Sequence, residues 1–262
     1  MATAVAGASV GARRRQIVNI MAYALVLTVN GLANALPING VTSGEVSDQY
    51  PSLVTPAGYV FSIWGVIYAL LAVFIGYQAL PSRRNDPRLE RLGYAFAVSC
   101  VCNASWLFAW HHLQIELAWL LIVALLVSLM VCYERLRGAP YEGLERFTVR
   151  LPFSVYLGWV TVATVANTAI TLLNLGVDGG SAAAVWGAVA IAAATAVGLT
   201  MLAHRADIAF CLVLVWAFAG IAFAQAPRSD VIVGVAVGAC AVLVVGVARH
   251  MGRTRISGTA GV

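Results

Sequence analysis

Eight long apolar stretches, separated by short polar segments, set the pattern of this chain of 262 residues. A helix of about 20 apolar residues crosses the ~30 Å hydrocarbon layer of a bilayer, because each residue adds ~1.5 Å. The stretches are 17–36, 56–80, 92–112, 116–134, 151–173, 182–203, 207–225 and 230–249. They predict an all-α polytopic membrane bundle of eight helices, with both ends of the chain on one side.

The positions of the arginines agree with this count and orient the helices. All sixteen basic residues are arginines, and all except Arg228 fall near the ends of the chain or in alternate loops. Because cytoplasmic loops of membrane proteins are enriched in basic residues, we expect an integral protein of a prokaryotic plasma membrane with cytoplasmic N- and C-termini. The net charge of +5 follows from this topology, so no nucleic-acid partner is expected.

The composition excludes several function classes. The absence of lysine excludes a retinal Schiff base, a pyridoxal phosphate linkage and a P-loop. The five cysteines lie in apolar stretches without C-x-x-C spacing and are interpreted as packing residues. His111, His112 and Glu116 are the types of residue that bind metals, but adjacent histidines point apart. Interfacial solvation is therefore the preferred interpretation of this group, and no metal site is expected.

Aromatic and amide side chains recur at helical spacing on the second, third and fifth predicted helices. Residues three, four and seven apart lie on one face of a helix, and a lipid-facing surface needs no indole or amide groups. These residues are Phe61, Trp64 and Tyr68; Asn103, Trp106 and Trp110; and Tyr156, Trp159, Ala163 and Asn167. The pattern predicts three faces turned toward other helices or toward a flat ligand.

The first predicted helix carries a further polar face, and the segment after it resembles a lid. Asn19, Tyr23, Asn30 and Asn34 share one side of that helix, where they either bond to neighbouring helices or contact a ligand.

The connection 37–55 is rich in glycine and serine and is the longest on its side of the membrane. We expect it to form a mobile lid over a pocket.

Three motifs together resemble the tryptophan-rich sensory protein and translocator protein family. P-x-x-Y-x-F-x-x-W-x-x-x-Y spans Pro56–Tyr68, N-x-x-W spans Asn103–Trp106, and Y-L-x-W-x-x-x-A-x-x-x-N spans Tyr156–Asn167. The resemblance covers residues 16–174. It implies a five-helix bundle that binds planar hydrophobic molecules, such as tetrapyrroles or sterols, under the first loop.

On this resemblance, a set of aromatic, amide and small residues lines the ligand pocket. The residues carried over are Trp64, Tyr68, Asn103, Trp106, Tyr156, Trp159, Ala163 and Asn167, to which the spacing patterns add Phe61 and Asn34. No cofactor is required, although a porphyrin or haem-like tetrapyrrole would be a fitting guest. Membrane lipids and a planar hydrophobic small molecule are the expected partners.

Three predicted helices follow the family's usual five. We therefore expect a translocator-like core at 1–174 and a three-helix extension at 175–262. The last helix carries Gly234 and Gly238, a G-x-x-x-G spacing that lets helices approach closely. This face could pack against the core or against a second copy of the chain, giving a homo-oligomer.

The favoured function is that of a membrane receptor, sensor or transporter for a planar hydrophobic ligand. The alternative is a membrane enzyme that degrades or modifies a tetrapyrrole, but the spans show no base, nucleophile or metal set, and no catalytic residues are predicted. An ion-coupled transporter would need ionisable groups at the bilayer midplane, which the predicted spans lack.

Overall fold

The computed structural model describes the backbone of residues 2–36, 38–138 and 140–259, and side chains from 11 to 253 except 34, 37 and 139. The described chain is all-helical. Its ten α-helices are α1 Ala2–Ala35, α2 Ser43–Asp48, α3 Ile63–Ala79, α4 Pro87–Leu92, α5 Ala95–His111, α6 Ile115–Leu136, α7 Leu151–Asn174, α8 Ala183–Arg205, α9 Ile208–Gln225 and α10 Asp230–Thr259.

Seven helical stretches in the described residues are long and apolar enough to cross a membrane. They are Gly11–Ala33, Gly58–Ala79, Ile115–Leu136, Arg146–Asn174, Gly180–Arg205, Ile208–Gln225 and Asp230–Arg253. The third predicted stretch forms α5, whose 17 residues stand at the lower limit of what spans a bilayer. The predicted polytopic helical bundle is confirmed, and the short helices α2 and α4 lie in the connections.

The first five long helices surround one packed interior. α5 packs between α1 and α6, and α7 packs against both α6 and α3. Among the helices that follow, α9 joins the extension to this interior by packing on α7. The two helices approach closely at Gly158, where an added Cβ would lie 3.2 Å from Val213 Cβ and 3.4 Å from the carbonyl oxygen of Phe210. The division at residue 174 stays a prediction.

A buried carboxylate ties the start of α9 to two helices of the first five. Asp207, 1% exposed, precedes α9 and accepts the backbone N–H of Phe210 at 3.1 Å. Its other carboxylate oxygen accepts hydrogen bonds from the hydroxyls of Tyr133 on α6 and Ser154 on α7, each at 2.7 Å. Because the capping side chain also bonds across the bundle, it fixes where α9 begins relative to α6 and α7.

The glycine face of α10 is open in the described chain. An added Cβ at Gly234 or Gly238 would meet no atom within 4 Å, and both residues are exposed. Packing of this face against the rest of the same chain, one of the two expectations, is therefore not found. A homo-oligomer through Gly234 and Gly238 stays a prediction.

Candidate functional site

The large rings of the three predicted faces meet around Trp64. Its ring centroid lies 5.6 Å from that of Trp106 and 6.1 Å from that of Trp159. Tyr68 stacks on it at 5.7 Å, and Tyr156 meets it edge-on at 6.0 Å. Such offset and edge-to-face pairs each contribute about 0.5–1.5 kcal/mol beyond area burial. Side chains from α3, α5 and α7 thus form one aromatic cluster.

Asn103, 0% exposed, is the polar centre beneath these rings. Its Oδ1 accepts hydrogen bonds from Nδ2 of Asn30 at 2.9 Å and from the hydroxyl of Tyr68 at 3.5 Å. Its Nδ2 donates to the hydroxyl of Tyr156 at 2.9 Å. Since the partners come from α1, α3 and α7, a single amide on α5 sets the relative positions of four helices.

Replacing Asn103 with alanine is expected to lower the free energy of unfolding by about 2 kcal/mol, because the buried hydroxyls of Tyr68 and Tyr156 lose a partner. Unfolding in mixed detergent micelles measures the change. The exposed amide of Asn85 is the matched control, and its replacement by alanine should change the value by less than about 0.5 kcal/mol. Equal effects of the two substitutions would contradict the assigned role.

A second amide, Asn167, holds Trp106 in place. Its Oδ1 accepts the indole N–H of Trp106 at 3.2 Å, while its Nδ2 donates to the carbonyl oxygen of Ala163 one turn earlier at 2.9 Å. Both of its polar groups are therefore used within the protein. Asn167 orients the ring cluster rather than offering a free group to a guest.

A small cavity lies against this cluster, with a volume of about 20 Å³. A cavity of at least about 10–15 Å³ on this measure holds one water molecule, whereas pockets for drug-sized ligands occupy about 300–1,000 Å³. The rings pack on one another, so the space expected for a planar guest is closed in this conformation. A guest of that size requires the cavity to open.

One of the residues that line the cavity carries an unsatisfied polar group. Trp159 lines it, is 1% exposed, and its indole N–H has no hydrogen-bond partner among the described residues. A buried donor without a partner costs about 1–3 kcal/mol. A water molecule or an acceptor atom on a guest would satisfy it.

Most of the predicted site residues are near this cavity. Those that line it are Phe61, Trp64, Trp106, Trp159, Ala163 and Asn167. Tyr68 and Tyr156 belong to the ring cluster and are hydrogen-bonded to Asn103, and none of the three is among the described lining residues. The side chain of Asn34 lies outside the described residues.

Other wall residues do not belong to the predicted set. Ser47 and Pro56 come from the connection, and Val162, Ala166 and Ile170 extend the α7 wall. The α7 residues continue the face of Ala163 and could have been found by extending its spacing.

The connection over the cavity, residues 38–62, is here called the cap segment. It contains α2, which opens with reciprocal bonds between Thr42 and Glu45: Thr42 Oγ1 accepts the N–H of Glu45, and Glu45 Oε2 accepts that of Thr42 at 2.7 Å. The hydrogen bond from the Thr42 backbone N–H lowers the pKa of the Glu45 carboxyl group, which keeps the carboxylate at this helix start charged. The expected glycine-rich lid therefore includes a capped helical turn.

The first half of the cap segment is bonded to the end of α5. The indole N–H of Trp110 donates to the carbonyl oxygen of Ser43 at 3.2 Å, and Ser43 Oγ lies 3.1 Å from His111 Nε2. Asn39 Nδ2 donates to the carbonyl oxygen of His111 at 3.0 Å. His111 thus has a structural contact, and the described residues contain no cluster of three potential metal ligands.

The second half is held by α9 and the residues that follow it. Gln225 Nε2 donates to the carbonyl oxygens of Ser52 and Thr55 at 3.2 and 3.3 Å, and Arg228 Nη2 donates to that of Pro51 at 3.0 Å. Two further hydrogen bonds join the cap segment to α9. The Ala57 N–H donates to the carbonyl oxygen of Gly220, and the indole N–H of Trp216 donates to that of Val60, both at 3.2 Å. α9 and the turn after it thereby fasten the cap segment over the cavity.

A family model described as TSPO-like protein matches residues 16–249. The chain belongs to the TSPO-like protein family. The resemblance carried by the three motifs is thus confirmed, and the TSPO-like match runs through α8, α9 and most of α10 as well as the first five long helices. No curated protein and no solved structure matches the chain.

Proposed function

We propose that this TSPO-like protein is a membrane receptor, sensor or transporter that binds a planar hydrophobic ligand, of the tetrapyrrole or sterol class, between α3, α5 and α7. The observation that carries the proposal is that Trp159, a wall residue of the ring-lined cavity, has an indole N–H with no hydrogen-bond partner among the described residues. It supplies one directed hydrogen bond in a site where recognition otherwise rests on stacking and burial.

Binding would proceed by opening of the cap segment. The cavity lies against Ser47, Pro56 and Phe61 of that segment, and the Phe61 ring packs on Trp159, so displacement of the segment would remove part of the cavity wall. The hydrogen bonds from α5 and α9 define the closed state that a ligand must overcome. The free energy of binding would then be that of stacking and burial of the ligand, reduced by the free energy of opening.

The chemistry of the wall supports binding over turnover. The described lining side chains are aromatic, aliphatic, amide, hydroxyl and proline groups. Nothing in that set supplies a general acid, a general base or a nucleophilic thiol, so no observation favours the enzyme alternative. With cytoplasmic termini, as the arginine distribution supports, the cap segment would face the outside of a prokaryotic plasma membrane.

Titration of the purified protein with protoporphyrin IX, followed by tryptophan fluorescence, tests this proposal. We expect saturable quenching, and the Trp159→Phe variant should bind about 5–10-fold more weakly, because it keeps an aromatic ring but loses a hydrogen bond worth about 1 kcal/mol. Trp186→Phe is the matched control, since Trp186 is exposed on α8 and should bind like the parent protein. Quenching that does not saturate, or that Trp159→Phe leaves unchanged, would reject the site.

A further inference from the structure

A second pocket of a different character lies on the other side of the cap segment. Its volume is about 340 Å³, and polar groups make up much of its wall. The polar residues that the argument uses are Asp48, Thr55, Gln225 and Arg228. Ser47 and Pro56 border both this pocket and the ring-lined cavity, so the two spaces share a wall.

Two buried oxygen atoms of this pocket's residues have no hydrogen-bond partner among the described residues. Gln225, 2% exposed, uses its amide nitrogen on the cap segment, and its Oε1 is left unpaired. Thr55, 6% exposed, has an unpaired Oγ1. Unsatisfied buried acceptors are rare because each loses its hydration without compensation. The Gln225 amide oxygen can only accept, whereas the Thr55 hydroxyl can both accept and donate. A guest that brings N–H donors would satisfy both oxygens.

The rim of the pocket adds complementary charges. Arg228 is exposed and donates from Nη2 to Pro51, while a guanidinium carries five N–H donors in all. A carboxylate or phosphate would therefore find a charge-assisted partner there. Asp48 is also exposed on the wall and favours a cation in the same space. The rim of the pocket can thus bind both a cation and an anion. The buried oxygens of Gln225 and Thr55 can accept hydrogen bonds from a guest.

We infer that this pocket binds a small zwitterion, whose primary ammonium donates to Gln225 Oε1 and Thr55 Oγ1 and whose anionic group binds Arg228. A free amino acid and the ethanolamine phosphate headgroup of a lipid share this chemistry. Gln225 and Arg228 also hold the cap segment. A zwitterion bound in this pocket would therefore strengthen the attachment of the cap segment to α9 and slow the opening of the ring-lined cavity. The binding step itself does not depend on the function proposed for that cavity.

Binding of a free zwitterion is tested with full-length protein in phosphatidylcholine nanodiscs. This lipid is chosen because its choline headgroup has no N–H to donate. Glycine, β-alanine and γ-aminobutyrate, which separate the two charges by increasing distances, are titrated by calorimetry. Saturable binding of at least one is expected, at least tenfold tighter than acetate or methylammonium alone. Thr55→Val and Arg228→Gln should each weaken it at least fivefold, whereas Thr200→Val, on the exposed face of α8, should not.

The lipid source is tested by exchanging phosphatidylethanolamine for phosphatidylcholine in the nanodiscs. If the headgroup is the guest, the midpoint of thermal unfolding rises, the rise is lost in Thr55→Val, and the soluble probes no longer bind. If a free zwitterion is the guest, the probes bind equally in both lipids. Absence of binding in both arms, as for a pocket that holds only water, overturns the inference. Binding that neither pocket variant weakens also overturns it.

Discussion

Replacing Asp207 with alanine is expected to lower the free energy of unfolding by about 4 kcal/mol. The carboxylate satisfies the buried hydroxyls of Tyr133 and Ser154 and caps α9 through Phe210. Its removal leaves these three donors without their partner, at about 1–3 kcal/mol for each group that water cannot reach. Unfolding of the purified variant in mixed micelles measures the loss.

A control separates this effect from the mere removal of a negative charge. Glu142 is exposed in the arginine-rich connection between α6 and α7, and Glu142→Ala should change stability by less than about 0.5 kcal/mol. In a second variant, Asp207→Asn, the amide oxygen can still accept from Phe210, so it should lose less than Asp207→Ala. If alanine at position 207 were tolerated as well as at 142, the carboxylate would not join α9 to the bundle.

Gly220→Ala is expected to destabilise the protein by about 2 kcal/mol and to loosen the cap segment. An added Cβ would overlap the side chain of Val60 and lie 3.4 Å from Pro56 Cβ. Overpacking of this kind costs about 1–3 kcal/mol, and relief requires the cap segment to move away from α9. Thermal unfolding should therefore occur earlier, and fluorescence quenching by protoporphyrin IX should be faster than in the parent protein.

Two further variants isolate the steric cause. Gly76→Ala on α3 makes the same change at an exposed position of a helix where the new methyl meets no atom within 4 Å, so stability should stay equal or rise by up to about 1 kcal/mol. Adding Val60→Ala to Gly220→Ala removes the overlapping methyl groups and should recover stability relative to the sum of the single changes. A strictly additive double variant would mean that the two residues do not touch.

These contacts give the C-terminal helices a definite place in the molecule. α9 is anchored by Asp207 at one end and binds the cap segment with Gly220 and Gln225 toward the other. Arg228, in the turn after α9, adds a bond to Pro51. The helix therefore connects the arginine-rich end of the bundle with the segment over the ring-lined cavity. A change in the position of α9 would be transmitted to that segment directly.

Several features outside the predicted set have local signals in the chain. The spacing of Thr42 and Glu45 is the T-x-x-E pattern of a helix start, which identifies α2 inside the expected lid. Asp207 directly precedes an apolar run, a typical N-cap position. Its two cross-bundle partners carried no such signal, because Tyr133 and Ser154 are separated from it by 74 and 53 residues.

The sequence alone determined the elements and their faces. Apolar length predicts the spanning helices because every backbone polar group in lipid must be bonded within its own segment. Spacing places Trp64, Trp106 and Trp159 on faces that avoid lipid, because side chains three to four residues apart share one side of a helix. Both rules depend only on neighbours in the chain, so they needed no knowledge of the fold.

Only the tertiary structure decided how these faces meet. It closed the rings onto a space of about 20 Å³, left the indole N–H of Trp159 without a partner in the described part of the chain, and set Gln225 against Thr55 across 170 residues. Such outcomes depend on the sizes and angles of side chains brought together from distant helices. A one-dimensional pattern does not contain them, because close packing responds to differences of a single methyl group.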